Sequence, residues 1–358
     1  MTDDETVDSG MPTERPPAAP RKNAPASQNS TESATIYDVA NLAGVNPSTV
    51  SRALNRPGRI SAATERRIRA AAETLNYQVN PMARALPTGR TSIIGLVVAD
   101  ITNPVFFDVV RGAETAATRS GYTLVLTESE ESGEREYERA NRMLRMVDGL
   151  LLATPRMADE HIHALSRQKP VAVVNRQVES VMSVVPDVQN GIAETIRHLR
   201  SLGHQRLAYI PGPPESWMAQ RRGEVLAQRC EWAHIELIQL DAVAPTVAGG
   251  RSAARAARDS GASAVVAYND LIAIGLMQEL AEAGIHVPGD LSVIGFDDIF
   301  GADFTSPALT TIKSPLREAG DHAMSALLAR VSGGVEPSHD FTLATALVAR
   351  GSTGPAAR

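Results

Sequence analysis

A small all-α module followed by a two-lobed, doubly wound α/β region is the fold class that this sequence predicts. Two observations carry it. Residues 35–55, TIYDVANLAGVNPSTVSRALN, show helical apolar spacing broken once by a glycine. From residue 91 onward, short apolar runs alternate with helical segments.

The first stretch reads as a helix-turn-helix. Thr35 caps the first helix, and Asp38 three residues later is an acidic variant of the capping box. Ile36, Val39, Ala40 and Ala43 recur on one helix face. Gly44 makes the turn, because glycine enters the left-handed region without steric cost. Asn46 caps the second helix and Pro47 takes its first position, where no N–H is needed. Val50 and Leu54 point back to the first helix, and the small Ala40 and Gly44 let the two helices cross closely. Pro47, Ser48, Ser51, Arg52 and Asn55 are left on the outer side, as a recognition helix requires. A third helix runs from a Ser61 cap through Leu75, with Ile68, Ala71, Ala72 and Leu75 inward.

The apolar runs Ile93–Val98, Leu124–Leu126, Leu150–Leu152, Val171–Val174, Leu207–Ile210, Val265–Ala267 and Leu291–Phe296 read as buried parallel strands. Helices alternate with them at 105–120, 134–146, 188–202, 216–230, 247–260, 270–284 and 315–332. Repeated βα units imply right-handed crossovers and open doubly wound sheets, and their number implies two subdomains.

Charge divides the chain in the same way. Residues 34–90 hold eight arginines against three acids, a net of +5. The whole chain is −6 and its first 33 residues are −3, which leaves −8 for residues 91–358. A basic module on an acidic protein is the electrostatic footprint of DNA contact confined to one end. One cysteine, Cys230, excludes an internal disulfide and fits a reducing compartment. No apolar run approaches the ~20 residues of a membrane span. The N-terminal stretch has no apolar segment of the secretory kind. A cytoplasmic location is expected, with no membrane partner. The low apolar content of residues 1–33 predicts a disordered tail, and 351–358 are expected to be loose.

Three stretches, TIYDVANLAGVNPSTVSRALN, NPMARALPTGRTSIIGLV and VPGDLSVIGFDDI, stand in the order found in the LacI/GalR (lactose-repressor) family of bacterial transcription regulators. The chain resembles that family over roughly residues 35–350. The resemblance implies a DNA-binding domain at 34–79, a hinge helix and linker at 80–90, and a sensor and dimerisation domain at 91–350. That last domain would be built like a periplasmic sugar-binding protein, with a ligand between its lobes. Asn80 and Pro81 start the hinge helix and Pro87 stops it after about two turns, too short to hold alone in water. In the family this helix folds on the operator and wedges a leucine into the minor groove, which kinks the duplex. Leu86 matches that leucine, and Ala83 lies on the same short helix.

DNA contact is therefore expected from Thr35, Tyr37, Pro47, Ser48, Ser51, Arg52, Asn55, Ser61, Ala83 and Leu86. Tyr37 matches a backbone-contacting tyrosine of the family, and Ser61 presents a helix N-terminus to phosphate. Arg52 is suited to a bidentate contact with guanine. Pro47 offers no donor, so selectivity there rests on shape or methyl contact. The partner implied is a near-palindromic operator with a central CG step, bound by a homodimer.

Ligands of open α/β sheets bind at the C-terminal strand ends. Asp297 follows the strand 291–296 and can accept two hydroxyl hydrogen bonds. Asn269 follows 265–268, and Asp270 is expected to cap the helix 271–284. Asn103, Val105 and Phe106 follow the first strand, with an aromatic ring there to stack on a sugar. Asn175 ends 171–174. Trp217, Arg221 and Arg222 begin a helix from which the family sends one arginine to the ligand, and the pattern leaves open which of the two it is. The effector expected is a sugar or nucleoside. The chain lacks a P-loop, GxGxxG, GxSxG and HExxH, and its eight histidines are scattered, so no cofactor, metal or catalytic residue is expected. The function expected is a ligand-controlled repressor. The alternative is a sugar-modifying enzyme that carries a DNA-binding module.

Overall fold

The computed structural model describes residues 34–55, 59–77, 90–334 and 343–356. The predicted tail at 1–33 and the hinge helix with Ala83 and Leu86 lie outside them.

Two compact units divide the chain near Asn80. The first holds α1 (Ile36–Ala43), α2 (Pro47–Asn55) and α3 (Ala62–Thr74). Thr35 and Asp38 form the full capping box: Asp38 Oδ2 accepts from Thr35 N at 2.8 Å, and Asp38 N donates to Thr35 Oγ1 at 3.4 Å. Gly44 ends α1 with φ +62°, and Val45 N closes on Ala40 O at 3.0 Å. Ser61 caps α3, accepting from Thr64 N at 3.3 Å. Val39, Ala40, Ala43, Val50, Ala53, Ile68, Ala71 and Ala72 make the core of this unit, so the predicted inward faces meet.

In the second unit, β1 (Ile93–Val98), β2 (Thr123–Glu128), β3 (Gly149–Ala153), β4 (Val171–Val174) and β5 (Met182–Val184) form one parallel sheet in the order β2-β1-β3-β4-β5. Helices α4 (Val105–Arg119), α5 (Gly133–Met143) and α6 (Asp159–Ser166) connect its strands. After α7 (Val188–Ser201) a second sheet is built from β6 (Arg206–Ile210), β7 (Glu236–Gln239), β8 (Ala264–Ala267), β9 (Ser292–Asp297), β10 (Thr310–Lys313) and β11 (Ala346–Val348). Its order is β11-β10-β9-β8-β6-β7, and only the β10–β11 pair is antiparallel. Helices α8 (Trp217–Ala233), α9 (Val247–Asp259) and α10 (Asp270–Glu282) lie between its strands in sequence, and α11 (Leu316–Ser332) returns to the first lobe.

The chain passes between the lobes three times, at 185–187, at 314–315 and before β11. Two passages are stitched together: Asp187 N donates to Leu343 O at 2.8 Å and Thr345 N to Asp187 O at 3.1 Å. Helix α11 packs on α4 at very close range. A Cβ on Gly112 would stand 2.0 Å from Arg317 O, and one on Gly320 2.4 Å from Val109 O. Only glycine at both positions lets the two backbones approach this far.

The seven strands read from apolar runs are present. The short β5, β7, β10 and β11 had no expected counterpart, because three or four residues carry too little periodicity, and neither had the eight-residue helix α6. Strand β2 departs from the buried expectation. It lies at the sheet edge and leaves Val125 and Leu126 about 40% exposed. Residues 351–356 are not loose. Val293 N donates to Ser352 O at 2.8 Å, Ser352 Oγ to Val293 O at 2.6 Å, and Ala356 N to Leu202 O at 2.9 Å. His204 Nε2 meets Gly354 O at 3.0 Å. Backbone groups and a buried serine hold this segment, and hydropathy does not register either.

Candidate nucleic-acid interface and effector cleft

In the helical unit Val50 and Ala53 are buried on the inner side of α2, whereas Ser48 and Arg52 are exposed and Pro47 and Ser51 half-buried. Alternation at helical spacing thus splits α2 into a core face and a polar face. Asn55 is its last residue. Tyr37 is 67% exposed, which removes a core role for it. Thr35 and Ser61 are exposed at the N-termini of α1 and α3, each already accepting a backbone N–H. A polar helix face flanked by two capped N-termini is suited to a groove edged by phosphates.

In the second unit the start of α4 in one lobe and the C-terminal end of β9 in the other face a cavity of about 340 Å³. Val105, Phe107, Asp108 and Arg111 line it from one lobe, Asp297, Asp298 and Phe300 from the other. The backbone turns sharply at strand ends in both lobes: φ is +67° at Asn175, +108° at Asp297 and +57° at Asp298. Non-glycine residues in this region cluster at functional sites.

Asp297, which lines this cavity, is paired with Arg222, which lines a separate small cavity inside the second lobe. Arg222 Nη2 donates to Asp297 Oδ1 at 2.5 Å, and Nη1 donates to Tyr268 O at 2.7 Å. The guanidinium lies 3.6 Å over the Phe296 ring. Both side chains are about 5% exposed. Burial pushes the Asp297 carboxyl up, with Arg222 opposing. Burial works most strongly against the Arg222 charge, but Asp297 together with Tyr268 and Tyr209 holds the guanidinium above its ordinary value. Beneath them Asp270 is fully buried, accepting from Thr311 Oγ1 at 2.5 Å and Ile299 N at 2.9 Å. Burial, then repulsion from Asp297, keeps its carboxyl far above the usual range.

The candidates divide. Arg222 is the partner of Asp297; Arg221 faces solvent, 3.7 Å from Glu224. Val105 lines the cavity, but Phe106 is 5% exposed in the core of the first lobe. Phe107 takes the place foreseen for Phe106, and the signal was available: Phe106, Val109, Ala113 and Ala116 form the buried stripe of α4, and Phe107 falls off it. Asn103 spends Oδ1 on Val105 N at 3.1 Å, starting α4. Asn269, and not Asp270, caps α10: its Oδ1 accepts from Ile272 N at 2.9 Å and its Nδ2 donates to Pro245 O at 3.1 Å. Trp217 packs against the core of the second lobe. Asn175 stands at the end of β4 with Oδ1 buried and unpartnered among the described residues. Asp298 Oδ1 accepts from Arg350 Nη2 at 2.6 Å. Tyr268 was missed; its hydroxyl meets Ser216 Oγ at 3.1 Å and its ring covers Gly212.

Among the described residues no cluster of three potential metal ligands exists, and no helix is long and apolar enough to cross a membrane. A helix-turn-helix unit joined to two doubly wound lobes around a polar cleft defines a class, the DNA-binding regulators with a binding-protein-like second unit. Comparison with known proteins makes the class specific. Residues 35–80 match the model of bacterial regulatory proteins of the lacI family, and 196–353 match a periplasmic binding protein-like domain. The HTH-type transcriptional repressor PurR of Photobacterium profundum is 31% identical over 330 residues, 89% of this chain and 98% of that protein. The lac repressor dimer bound to operator and an anti-inducer superposes with TM-score 0.81 at 26% identity, over 90% of this chain and 100% of that one. A LacI family regulator from Enterococcus faecium with bound ribose gives 0.64 at 31%, over 74% and 99%. The chain belongs to the LacI family of transcriptional regulators. Its relatives are named regulators, and the alternative of a sugar-modifying enzyme falls with that.

Proposed function

We propose that this regulator is a cytoplasmic homodimeric repressor whose operator affinity is set by a neutral, hydroxyl-rich effector, a sugar or nucleoside, held between its lobes. The Asp297–Arg222 pair at the cavity carries this reading. Arg222 is neutralised by Asp297 and Arg221 stands outside, so α8 offers no free cation to a phosphate; on the other side Arg111 lines the cavity together with Asp108 of the same helix. Asp297 Oδ2, which accepts from Arg222 Nη1 only at 3.5 Å, and the unpartnered Asn175 Oδ1 have acceptor capacity to spare, and acceptors recognise hydroxyl donors. The ribose bound by the Enterococcus relative is of this kind.

On the DNA side, Pro47, Ser48, Ser51, Arg52 and Asn55 would read the major groove, with Thr35, Tyr37 and Ser61 on phosphates. Ala83 and Leu86 in the hinge at 80–90 would enter the minor groove. The exposed Val125 and Leu126 on edge strand β2, and Phe300 and Phe304 in edge-to-face contact at 5.0 Å, suit burial against a second copy. Effector closure of the lobes and pairing of two hinges would then share one equilibrium.

A thermal-shift panel of pentoses, hexoses, nucleosides and their phosphates tests the effector class on the full chain. A neutral compound should raise the melting temperature by mass action, and Asp297→Asn should abolish the shift. Stabilisation by the phosphates alone would overturn the reading. On a duplex selected from a random pool, Leu86→Ala should weaken binding while leaving the thermal shift intact.

A further inference from the structure

Inside the second lobe, under the Asp297–Arg222 pair, two buried polar atoms have no hydrogen-bond partner among the described residues: Arg222 Nε and the Tyr209 hydroxyl. Arg222 is 4% exposed and Tyr209 3%. Buried donors of this kind are almost always satisfied, because leaving one unpaired costs its full desolvation. Both residues line the same small cavity, and so does Thr195. The cavity offers about 10 Å³ to the centre of a water, room for one water and for nothing larger. Thr195 is fully buried and donates its hydroxyl proton to Gly191 O at 2.8 Å, which leaves its oxygen able to accept.

We propose that one internal water fills this cavity and joins the ion pair of the cleft to the passages between the lobes. Arg222 Nε donates to it, it donates to Thr195 Oγ1, and the Tyr209 hydroxyl takes a third position. Three polar partners are what a retained internal water needs.

From Thr195 the connection continues through observed bonds. Gly191, whose carbonyl Thr195 holds, donates its N–H to Thr345 Oγ1 at 3.0 Å. Thr345 Oγ1 donates to Asp187 O at 2.8 Å. Asp187 and Thr345 stand on two of the three interlobe passages. The approach at Gly191 is tight: a Cβ there would lie 2.4 Å from Ile312 Cγ2 and 2.7 Å from Thr345 Oγ1. A change at Asp297 in the cleft, passed to its partner Arg222, therefore reaches the passages through a satisfied polar network within close-packed apolar walls, and such networks polarise and stiffen one another. Thr195 and Tyr209 are positioning residues here, since neither touches the cavity between the lobes.

Crystal structures of the full chain and of Thr195→Val, with amide hydrogen exchange on both, test the proposal. Wild type should show one ordered water within about 3.2 Å of Arg222 Nε and the Tyr209 hydroxyl. Thr195→Val, nearly isosteric, should lose it. The amides of Gly191 and Thr345 should then exchange about five-fold faster, what loss of one ordinary hydrogen bond allows. Thr195→Ser should restore both water and protection, which a packing role for Thr195 would not. A dry cavity in wild-type crystals that order other buried waters would overturn the proposal. So would wild-type exchange in Thr195→Val. If that variant does not fold, Tyr209→Phe removes a single hydroxyl: faster exchange at Thr345 supports the connection, and unchanged exchange refutes it.

Discussion

Replacing Arg222 with methionine isolates the central ion pair. The substitution removes the donors to Tyr268 O at 2.7 Å and Asp297 Oδ1 at 2.5 Å while keeping much of the stem that lies over Phe296. Asp297 would remain, 8% exposed, with the buried Asp270 beneath it. Stranding one partner of a buried pair costs about 3–5 kcal/mol, far more than the pair adds over apolar isosteres. Asp297→Asn in the same background removes the stranded charge, so the double variant should lie about 2 kcal/mol above the sum of the single losses. The sign with pH follows from the cause. Without Arg222, burial alone acts on Asp297 and its carboxyl rises further, so the native state binds a proton that the unfolded chain does not. The Arg222→Met deficit should therefore be largest above neutrality and shrink as pH falls toward 5. Urea denaturation followed by tryptophan fluorescence reads this directly, because both tryptophans, Trp217 and Trp232, lie on α8 of the second lobe. A loss below about 1 kcal/mol, or single effects that add within about 0.5 kcal/mol, would refute the reasoning.

Three further perturbations probe other parts of the unit. Glu136 is buried, accepts from Arg156 N at 2.6 Å and Met157 N at 2.8 Å, and burial pushes its carboxyl up to about 7 from an ordinary 4.5. Its native state holds a proton that the unfolded state has released, so it contributes a loss of stability as pH rises through that window, about 3 kcal/mol in all. Denaturation against pH should show that slope in wild type and not in Glu136→Gln; parallel curves would exclude it. Gly112→Ala places a methyl 2.0 Å from Arg317 O and should lower unfolding stability by more than about 2 kcal/mol, measured by the same denaturation; a neutral result would mean that α4 and α11 can separate freely. Truncation after Arg350 deletes the Ser352, Gly354 and Ala356 bonds, and at ~1 kcal/mol each the melting temperature should fall by several degrees. An unchanged melting curve would return that segment to the status of a loose end.

Local chemistry made much of this protein legible in its sequence. The capping box of Thr35 and Asp38, the left-handed turn at Gly44 and the split faces of α2 depend on neighbours within four residues, and the pattern of residue types contains them. Buried parallel strands announce themselves in the same way, as unbroken apolar runs. Asp297 was singled out because the end of such a strand in an open sheet is where ligands bind, and it lines the cavity. What tertiary structure alone decided concerns pairs far apart in the chain. Arg221 and Arg222 are adjacent and chemically identical; only the position of Asp297, 75 residues onward, selects the second. Asn269 looked free until Pro245 O and Ile272 N took both of its polar groups. Gly112 required its partner Arg317, and residues 351–356 required Val293 and Leu202. In each case the deciding contact is between groups separated along the chain by tens to hundreds of residues, and periodicity and propensity carry no information about which distant group will be there.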